Sequence, residues 1–372
     1  MNDKRYQRHS LIDWFSQEDV QGSKVGVIGC GAVGNEVAKN LALLGVGQID
    51  LFDFDTIEIH NLTRSVLFRE SDIGREKAEV AAARVKELDP NIEVNHFIGD
   101  FWDHLTLAQA AAYDCIICCV DNFEARIKLN QLCILTKTNL INTGIDSKFG
   151  QIEVFPLSGE GETACFECNL PNSAYERMAK RYSCGWLKKI SFIEKKIPTT
   201  IITSSLTGAM AASFALETTK DTPQETARRI LLNSATGSST VSQIVKSETC
   251  PACPPQGQRV TFLTAKATIE NQLKQLSQSG DVSLTTSEPI LVSYRCTACD
   301  PNAEDATILF ERAAHHDSTL SVCKKCEVDT VEIDIRDVFQ LSEIREKYLG
   351  KSFPCKYVKL ETNENTIIIE ME

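Results

Sequence analysis

Long apolar runs are missing from this 372-residue chain. Nowhere does it reach the roughly 18 successive apolar residues of a membrane-spanning helix, so no membrane partner is expected. Positive charge is also short: 39 Lys and Arg face 51 Asp and Glu, for a formal net charge of −12. That balance argues against a general nucleic-acid binder. The N-terminus is charged (Asp3, Lys4, Arg5, Arg8), and no apolar segment follows it. A secretory signal is therefore not expected, and a cytoplasmic location is. Internal repeats and low-complexity tracts are lacking as well. At 42% hydrophobic residues there is ample material for a core. The length suits one large α/β domain and a smaller one.

Cysteine, by contrast, is abundant, at 15 residues. Eight fall in Cys-x-x-Cys pairs: Cys165/Cys168, Cys250/Cys253, Cys296/Cys299 and Cys323/Cys326. Two thiolates so spaced can grip one tetrahedral Zn²⁺, and two pairs complete a structural site. Without an export signal, metal is favoured over disulfides. Cys115-Ile116-Ile117-Cys118 has the same spacing but lies in an apolar run, so it reads as buried core.

The densest chemistry lies in residues 29–77. Gly29-Cys30-Gly31-Ala32-Val33-Gly34 follows the apolar run Val25–Ile28 and precedes a helical pattern over about 32–44. In such a loop Gly29 permits the tight turn, Gly31 lets backbone approach phosphate, and Gly34 lets helix and strand pack closely. The helix start offers free N–H groups to an anion. Asp53, in Asp53-Phe54-Asp55, ends the next strand, where an acid can hold ribose hydroxyls. An NAD-binding domain would explain this much. Arg64, in Asn61-Leu62-Thr63-Arg64, and Lys77, opening the helical run to Leu88, point further. Cleavage between the α- and β-phosphates of ATP needs cations on the leaving pyrophosphate. Asp121, before Asn122, ends a third strand expected over Tyr113–Val120. It is the natural Mg²⁺ ligand of the set.

With Arg5-Tyr6-Gln7-Arg8-His9, Asp72-Ile73-Gly74 and the cysteine pairs, these motifs resemble the ThiF/MoeB/ubiquitin-activating superfamily. The likeness covers about residues 4–255 and is nearest to the homodimeric bacterial members. It implies a Rossmann-like, doubly wound, mostly parallel sheet that adenylates the C-terminus of a ubiquitin-like or sulfur-carrier protein. It assigns Asp53 to the ATP ribose, Arg64 and Lys77 to the phosphates with Asn61 helping to orient them, and Asp121 to Mg²⁺. Asp55 and Asn122 join the nucleotide-binding set. Arg8 is assigned to the triphosphate of a neighbouring subunit, hence a homodimer. The resemblance pairs Cys165/Cys168 with Cys250/Cys253 at one zinc. The remaining pairs, Cys296/Cys299 and Cys323/Cys326, then form a second, zinc-ribbon-like site. Thr63 and Ser65 stand where the family usually has Asn and Gln.

Three regions are expected. Residues 1–22 form an N-terminal helical arm. Residues 23–255 form the adenylation domain, with a crossover loop at 169–197 and a buried, small-residue helix over Pro198–Glu217. Residues 259–372 form a small α+β zinc-binding unit, with strands at Thr330–Ile335, Tyr357–Leu360 and Thr366–Ile369 and a helix over Asp337–Leu349. That unit is expected to dock a partner, such as the carrier, a conjugating enzyme or a sulfur donor. The crossover loop carries seven Lys or Arg and one acid between Arg177 and Lys196. Cations around Cys184 favour its thiolate. The resemblance makes Cys184 a candidate acceptor of the activated carboxylate; the alternative is a plain basic docking patch. Three rival functions remain open: adenylation of a ribosomal peptide or small-molecule carboxylate, a non-catalytic subunit that only binds a ubiquitin-like partner, and a dehydrogenase.

Overall fold

The computed structural model describes residues 4–159, 163–171, 173, 175, 198–218, 226–253, 259–263, 283–299, 307–313, 323, 325–328, 331–340, 354–361 and 365–370. They fall in two compact units. One holds residues up to 170 together with 198–253, and the other holds 171, 173, 175 and those from 259 onward.

The first unit is an eight-stranded sheet. Its strands are β1 (Lys24–Ile28), β2 (Gln48–Asp53), β3 (Glu93–Ile98), β4 (Cys115–Cys118), β5 (Asn139–Ile145), β6 (Phe149–Phe155), β7 (Arg228–Asn233) and β8 (Ser238–Gln243), in the order β3-β2-β1-β4-β5-β6-β7-β8. The first five run parallel, and β6, β7 and β8 continue antiparallel. The sheet is thus Rossmann-like, as expected. Its helices are α1 (Gln17–Gly22), α2 (Ala32–Leu44), α3 (Lys77–Leu88), α4 (Phe101–His104), α5 (Leu107–Ala112), α6 (Phe123–Thr136) and α7 (Ile201–Glu217). Strands β1 and β2 read as near-continuous apolar runs because both faces are covered, by a core that includes Val25, Val27, Ile49, Leu51, Val37, Leu41 and Ala81. The order places β1 and β4 side by side at the point where the winding reverses, and ligands of such sheets bind beyond the strand ends there.

Two glycines set the packing of α2. Gly45, at φ +82°, takes the left-handed position that ends the helix. A Cβ on Gly208 of α7 would lie 2.5 Å from the Cβ of Glu36, so α7 presses directly on α2. The small residues expected in this helix serve that contact, while its opposite side leaves Ile202 and Leu206 exposed.

Strand β4 is shorter than the expected Tyr113–Val120. Tyr113 turns into the core and donates to Asp50 at 2.6 Å, and the chain leaves the ladder after Cys119, whose N–H still donates to the Ile28 carbonyl at 2.7 Å. Cys115 and Cys118 are buried, as the apolar run suggested. Of the N-terminal arm, the described part is a 3₁₀ turn at His9–Leu11 and α1. Tyr6 and Arg5 fasten it to the end of α3: the Tyr6 hydroxyl donates to Asp89, and Arg5 Nη1 donates to the Leu88 carbonyl at 2.7 Å.

The second unit contains β9 (Arg259–Leu263), β10 (Ser283–Cys296), β11 (Thr307–Arg312), β12 (Val331–Gln340), β13 (Tyr357–Glu361) and β14 (Asn365–Glu370). The sheet order is β11-β10-β13-β14-β9, with β12 paired to the other edge of β10. Only β14 and β9 are parallel. The expected helix over Asp337–Leu349 is overturned at its start. Residues 337–340 continue β12, because Phe339 pairs with Leu284 and is buried in this unit's core. The rest of that stretch lies outside the described residues.

Candidate nucleotide site and cysteine clusters

The glycine loop leaves β1 at Ile28 and enters α2 at Ala32. Its three glycines answer to different constraints. Gly29 sits at φ +94°, and a Cβ there would lie 2.9 Å from the Cys119 carbonyl oxygen. A Cβ on Gly34 would meet the Gly29 carbonyl oxygen at 1.9 Å. A Cβ on Gly31 would meet nothing within 4 Å. Gly29 and Gly34 are therefore required by the fold, whereas Gly31 borders open space at the N-terminus of a 13-residue helix, a cradle fitted to a phosphate.

Asp53, at the end of β2, accepts from the Cys30 N–H at 2.6 Å and from the Asp55 N–H at 2.8 Å. Burial pushes its carboxyl above the ordinary value, and the Lys77 ammonium and these two N–H groups only partly offset that. Residues 54–76 make an excursion that closes on itself. Thr56 bridges Glu76, and Lys77 N–H donates to the Asp55 carbonyl at 3.0 Å. The closure sets Lys77, buried, beside the exposed Asp55, with Nζ 2.6 Å from its carboxylate. Arg64 is half-buried and donates to the His60 carbonyl at 2.8 Å. Asn61 is buried, its Oδ1 accepting from Glu58 N–H at 2.9 Å.

Past β4 the chain exposes Asp121. The helix cap is Asn122, which accepts from Ala125 N–H at 2.8 Å. Asp121 is thus spared capping, and its carboxylate is a hard oxygen donor suited to Mg²⁺. Glycine loop, Asp53, Lys77 and Asp121 all stand at the carboxyl ends of β1, β2 and β4, the phosphate-binding end of such a sheet. Arg8 is exposed on the arm.

The family model of the ThiF family matches residues 5–254. The chain belongs to the ThiF family. Among ThiF-family relatives it is 34% identical over 152 residues to SUMO-activating enzyme subunit 2 of Dictyostelium discoideum, covering 41% of this chain and 22% of that protein. It is 32% identical over 179 residues to the sulfur carrier protein ThiS adenylyltransferase of Escherichia coli K12, covering 46% and 70%. Several curated relatives are thus matched over less than half of their length. A crystal structure of E. coli MccB with AMPCPP and MccA superposes with a TM-score of 0.53 at 25% identity, covering 68% of this chain and 75% of that one.

The structure gathers the eight paired cysteines into two groups: Cys165, Cys168, Cys250 and Cys253, and Cys296, Cys299, Cys323 and Cys326. In the first, the Sγ atoms of Cys165 and Cys168, Cys165 and Cys250, Cys165 and Cys253, and Cys168 and Cys253 stand 3.5 to 3.8 Å apart. In the second, Cys296–Cys326 is 3.6 Å and Cys299–Cys323 is 3.7 Å. A tetrahedral zinc with Zn–S near 2.3 Å spaces its sulfurs about 3.8 Å apart, so both groups fit a structural zinc. Backbone N–H groups of Cys165 and Lys325 point at the sulfurs of Cys168 and Cys323, each at 3.4 Å, the support a thiolate ligand needs. Cys184 lies outside the described residues. In the glycine-loop region, burial raises the Cys30 thiol well above its ordinary value and pushes Cys119 up to about 12. Neither supplies a thiolate at neutral pH.

One residue at the site escaped the sequence reading. Asn35, fully buried in α2, donates to the carbonyls of Cys30 (2.7 Å) and Gly31 (3.1 Å) and accepts from Leu67 N–H at 2.9 Å. One amide thus ties the glycine loop to the segment that carries Arg64. The available signal was a polar residue in the first turn of an otherwise apolar helix face.

Proposed function

We propose that the first unit binds Mg·ATP where β1 and β4 diverge and adenylates the C-terminal carboxylate of a ubiquitin-like or sulfur-carrier protein, releasing pyrophosphate. The observation that carries this reading is the open space at Gly31 beyond the end of β1, with Asp53 and Asp121 just past the ends of the neighbouring strands β2 and β4. Names of matched relatives, a SUMO-activating subunit and a ThiS adenylyltransferase, point to the same substrate class. In this reading Asp53 and Asp55 hold the ribose end, and Gly29, Gly31 and Gly34 shape the phosphate cradle. Asn61 steadies the Arg64 turn. Lys77 and Arg64 neutralise charge building on the phosphates. Asp121, beside Asn122, takes the Mg²⁺. Arg8 reaches the triphosphate of a second copy, and the exposed Ile202 and Leu206 on α7 support a homodimer. The Cys184 sulfur then attacks the acyl adenylate, forming a thioester as the bond to AMP breaks and AMP leaves, and the second unit docks the carrier or a downstream enzyme.

A second reading keeps the chemistry and changes the carboxylate to that of a ribosomal peptide. It draws on the likeness to MccB, described as a Microcin C7 biosynthetic enzyme and seen with N-formylated MccA.

Exchange of labelled pyrophosphate into ATP tests both. The first reading expects exchange that needs a carrier's intact C-terminal glycine and disappears in Arg64→Ala and Asp121→Ala. Exchange with a short peptide alone favours the second, and no exchange in either case defeats both. Gly31→Ala is expected to keep the melting temperature and lose ATP affinity in equilibrium dialysis, whereas Gly34→Ala lowers the melting temperature itself.

A further inference from the structure

A polar row crosses the antiparallel half of the sheet and ends at the loop that carries Asp121. In register, Cys118 of β4 faces Asn142 of β5, Asn142 faces Glu153 of β6, and Glu153 faces Arg229 of β7. Asn142 Nδ2 donates to Glu153 Oε2 at 2.7 Å. Arg229 donates through Nε and Nη2 to Glu153 Oε1 at 2.9 and 2.7 Å. Arg126, one turn into α6, joins the row from above the strands. Its Nη1 donates to Asn142 Oδ1, and its Nη2 donates to the carbonyl of Val120. Glu153 and Asn142 are 2% and 4% exposed. Burying a carboxylate is costly unless it is paired and hydrogen-bonded, and Glu153 commits one oxygen to Asn142 and the other to the partly exposed Arg229.

The far end of this row explains what it does. The last bond from this strand to β1 is Cys119 N–H to the Ile28 carbonyl at 2.7 Å, and among the described residues the Val120 carbonyl has no ladder partner. Arg126 supplies one, on the residue next to Asp121. From the other side the Asn122 side chain is locked to Ala125 N–H. Asp121 is therefore held between two fixed neighbours, while its own carboxylate takes no hydrogen bond from the described residues. Metal affinity depends on such outer contacts as well as on the ligand itself.

We propose that Arg126 is a positioning residue, held by Asn142, Glu153 and Arg229, that aims the Asp121 carboxylate at the metal of Mg·ATP. The proposal rests on the reading of Asp121 given above. A purely structural Arg126 would instead affect folding, or nucleotide binding with and without metal alike.

The test is calorimetric titration of the full chain with a non-hydrolysable ATP analogue, at a series of Mg²⁺ concentrations and in EDTA. Arg126→Gln is expected to raise the Mg²⁺ concentration needed for half-maximal enhancement of binding by about tenfold or more. Affinity in EDTA stays as in the wild type. Arg126→Lys, which keeps the charge but loses the two-pronged fork, shifts it in the same direction. In an Asp121→Asn background, Arg126→Gln adds nothing further, because both act through one carboxylate. Glu153 keeps its Arg229 partner in these variants, and a melting curve verifies folding. An unchanged Mg²⁺ dependence, an equal loss in EDTA, or additive losses in the double variant would each overturn the proposal while leaving the nucleotide site intact. A wild-type chain that binds no nucleotide would overturn both.

Discussion

The two tetra-cysteine groups have the same ligands and sulfur spacing but very different settings. In the first, Cys165 is fully buried, and the knuckle it opens is bolted to α6. Phe166 N–H donates to Asn130 Oδ1 at 3.0 Å, and Glu167 accepts from Asn130 at 3.1 Å and Gln131 at 3.2 Å. The other end of α6 presents Asn122 and Asp121. In the second group Cys299 is exposed, and its partners lie at the ends of strands or in short turns. Ligand chemistry is therefore a poor guide to what a metal site supports. The elements fastened to its ligands decide how far a loss is felt.

The strongest way to break this comparison is to remove each metal in turn. Cys165→Ser with Cys250→Ser is expected to lose one zinc equivalent and, with it, nucleotide binding. Structural zinc contributes on the order of 10 kcal/mol in zinc-finger peptides. Cys296→Ser with Cys323→Ser is expected to lose the other equivalent and keep nucleotide binding. Metal counting by mass spectrometry beside dialysis with labelled ATP reads both, and equal loss of binding in the two would refute the contrast. Next in size, a chelator time course should release zinc in two phases. The faster phase should vanish in Cys296→Ser with Cys323→Ser, since the exposed group yields first.

Glu167→Ala sharpens the comparison by cutting the bolt and sparing the ligands. It strips the buried Asn130 amide and the exposed Gln131 amide of their shared acceptor, at a cost of about 1–3 kcal/mol in a denaturant melt from the buried one, with both zinc equivalents retained. Loss of a zinc equivalent would mean that the knuckle cannot form without α6. The smallest effect concerns a contact that involves no metal. Burial pushes the Asp89 carboxyl up, but the Tyr6 hydroxyl, the Asn91 N–H groups and Arg5 more than offset this, so it titrates below its ordinary value. A depressed acid contributes stability that is present above its unfolded pKa, about 3.9, and lost as pH falls through the lower folded value. Hydrogen exchange should then show the arm protected at neutral pH and released in acid below that range. In Asp89→Asn the acid step should disappear.

Much of the parallel half was legible because its signals are local. A glycine loop after an apolar run, an acid at the next strand end and a lysine opening an alanine-rich stretch each follow from a few neighbouring residues. The helices at 32–44 and 77–88 form as those residues suggested. What escaped depends on partners far along the chain. Asn35 matters through Leu67, Arg126 through Val120 and Asn142, and Glu153 through Arg229. Residues 337–340 look helical alone and become a strand because β10 offers Phe339 a core to enter. The antiparallel course of β6 was likewise invisible: the pattern at Gln151–Phe155 gives a strand without its direction.

The clasp between Tyr6 and Asp89 acts as the post of a short leash. Only Gln7 separates Tyr6 from Arg8, so over two Cα steps the Arg8 Cα can travel no more than about 7 Å from the anchored one. On the proposal that Arg8 serves the triphosphate of a second copy, that site must come to Arg8, and the arm would set how closely such a copy has to sit.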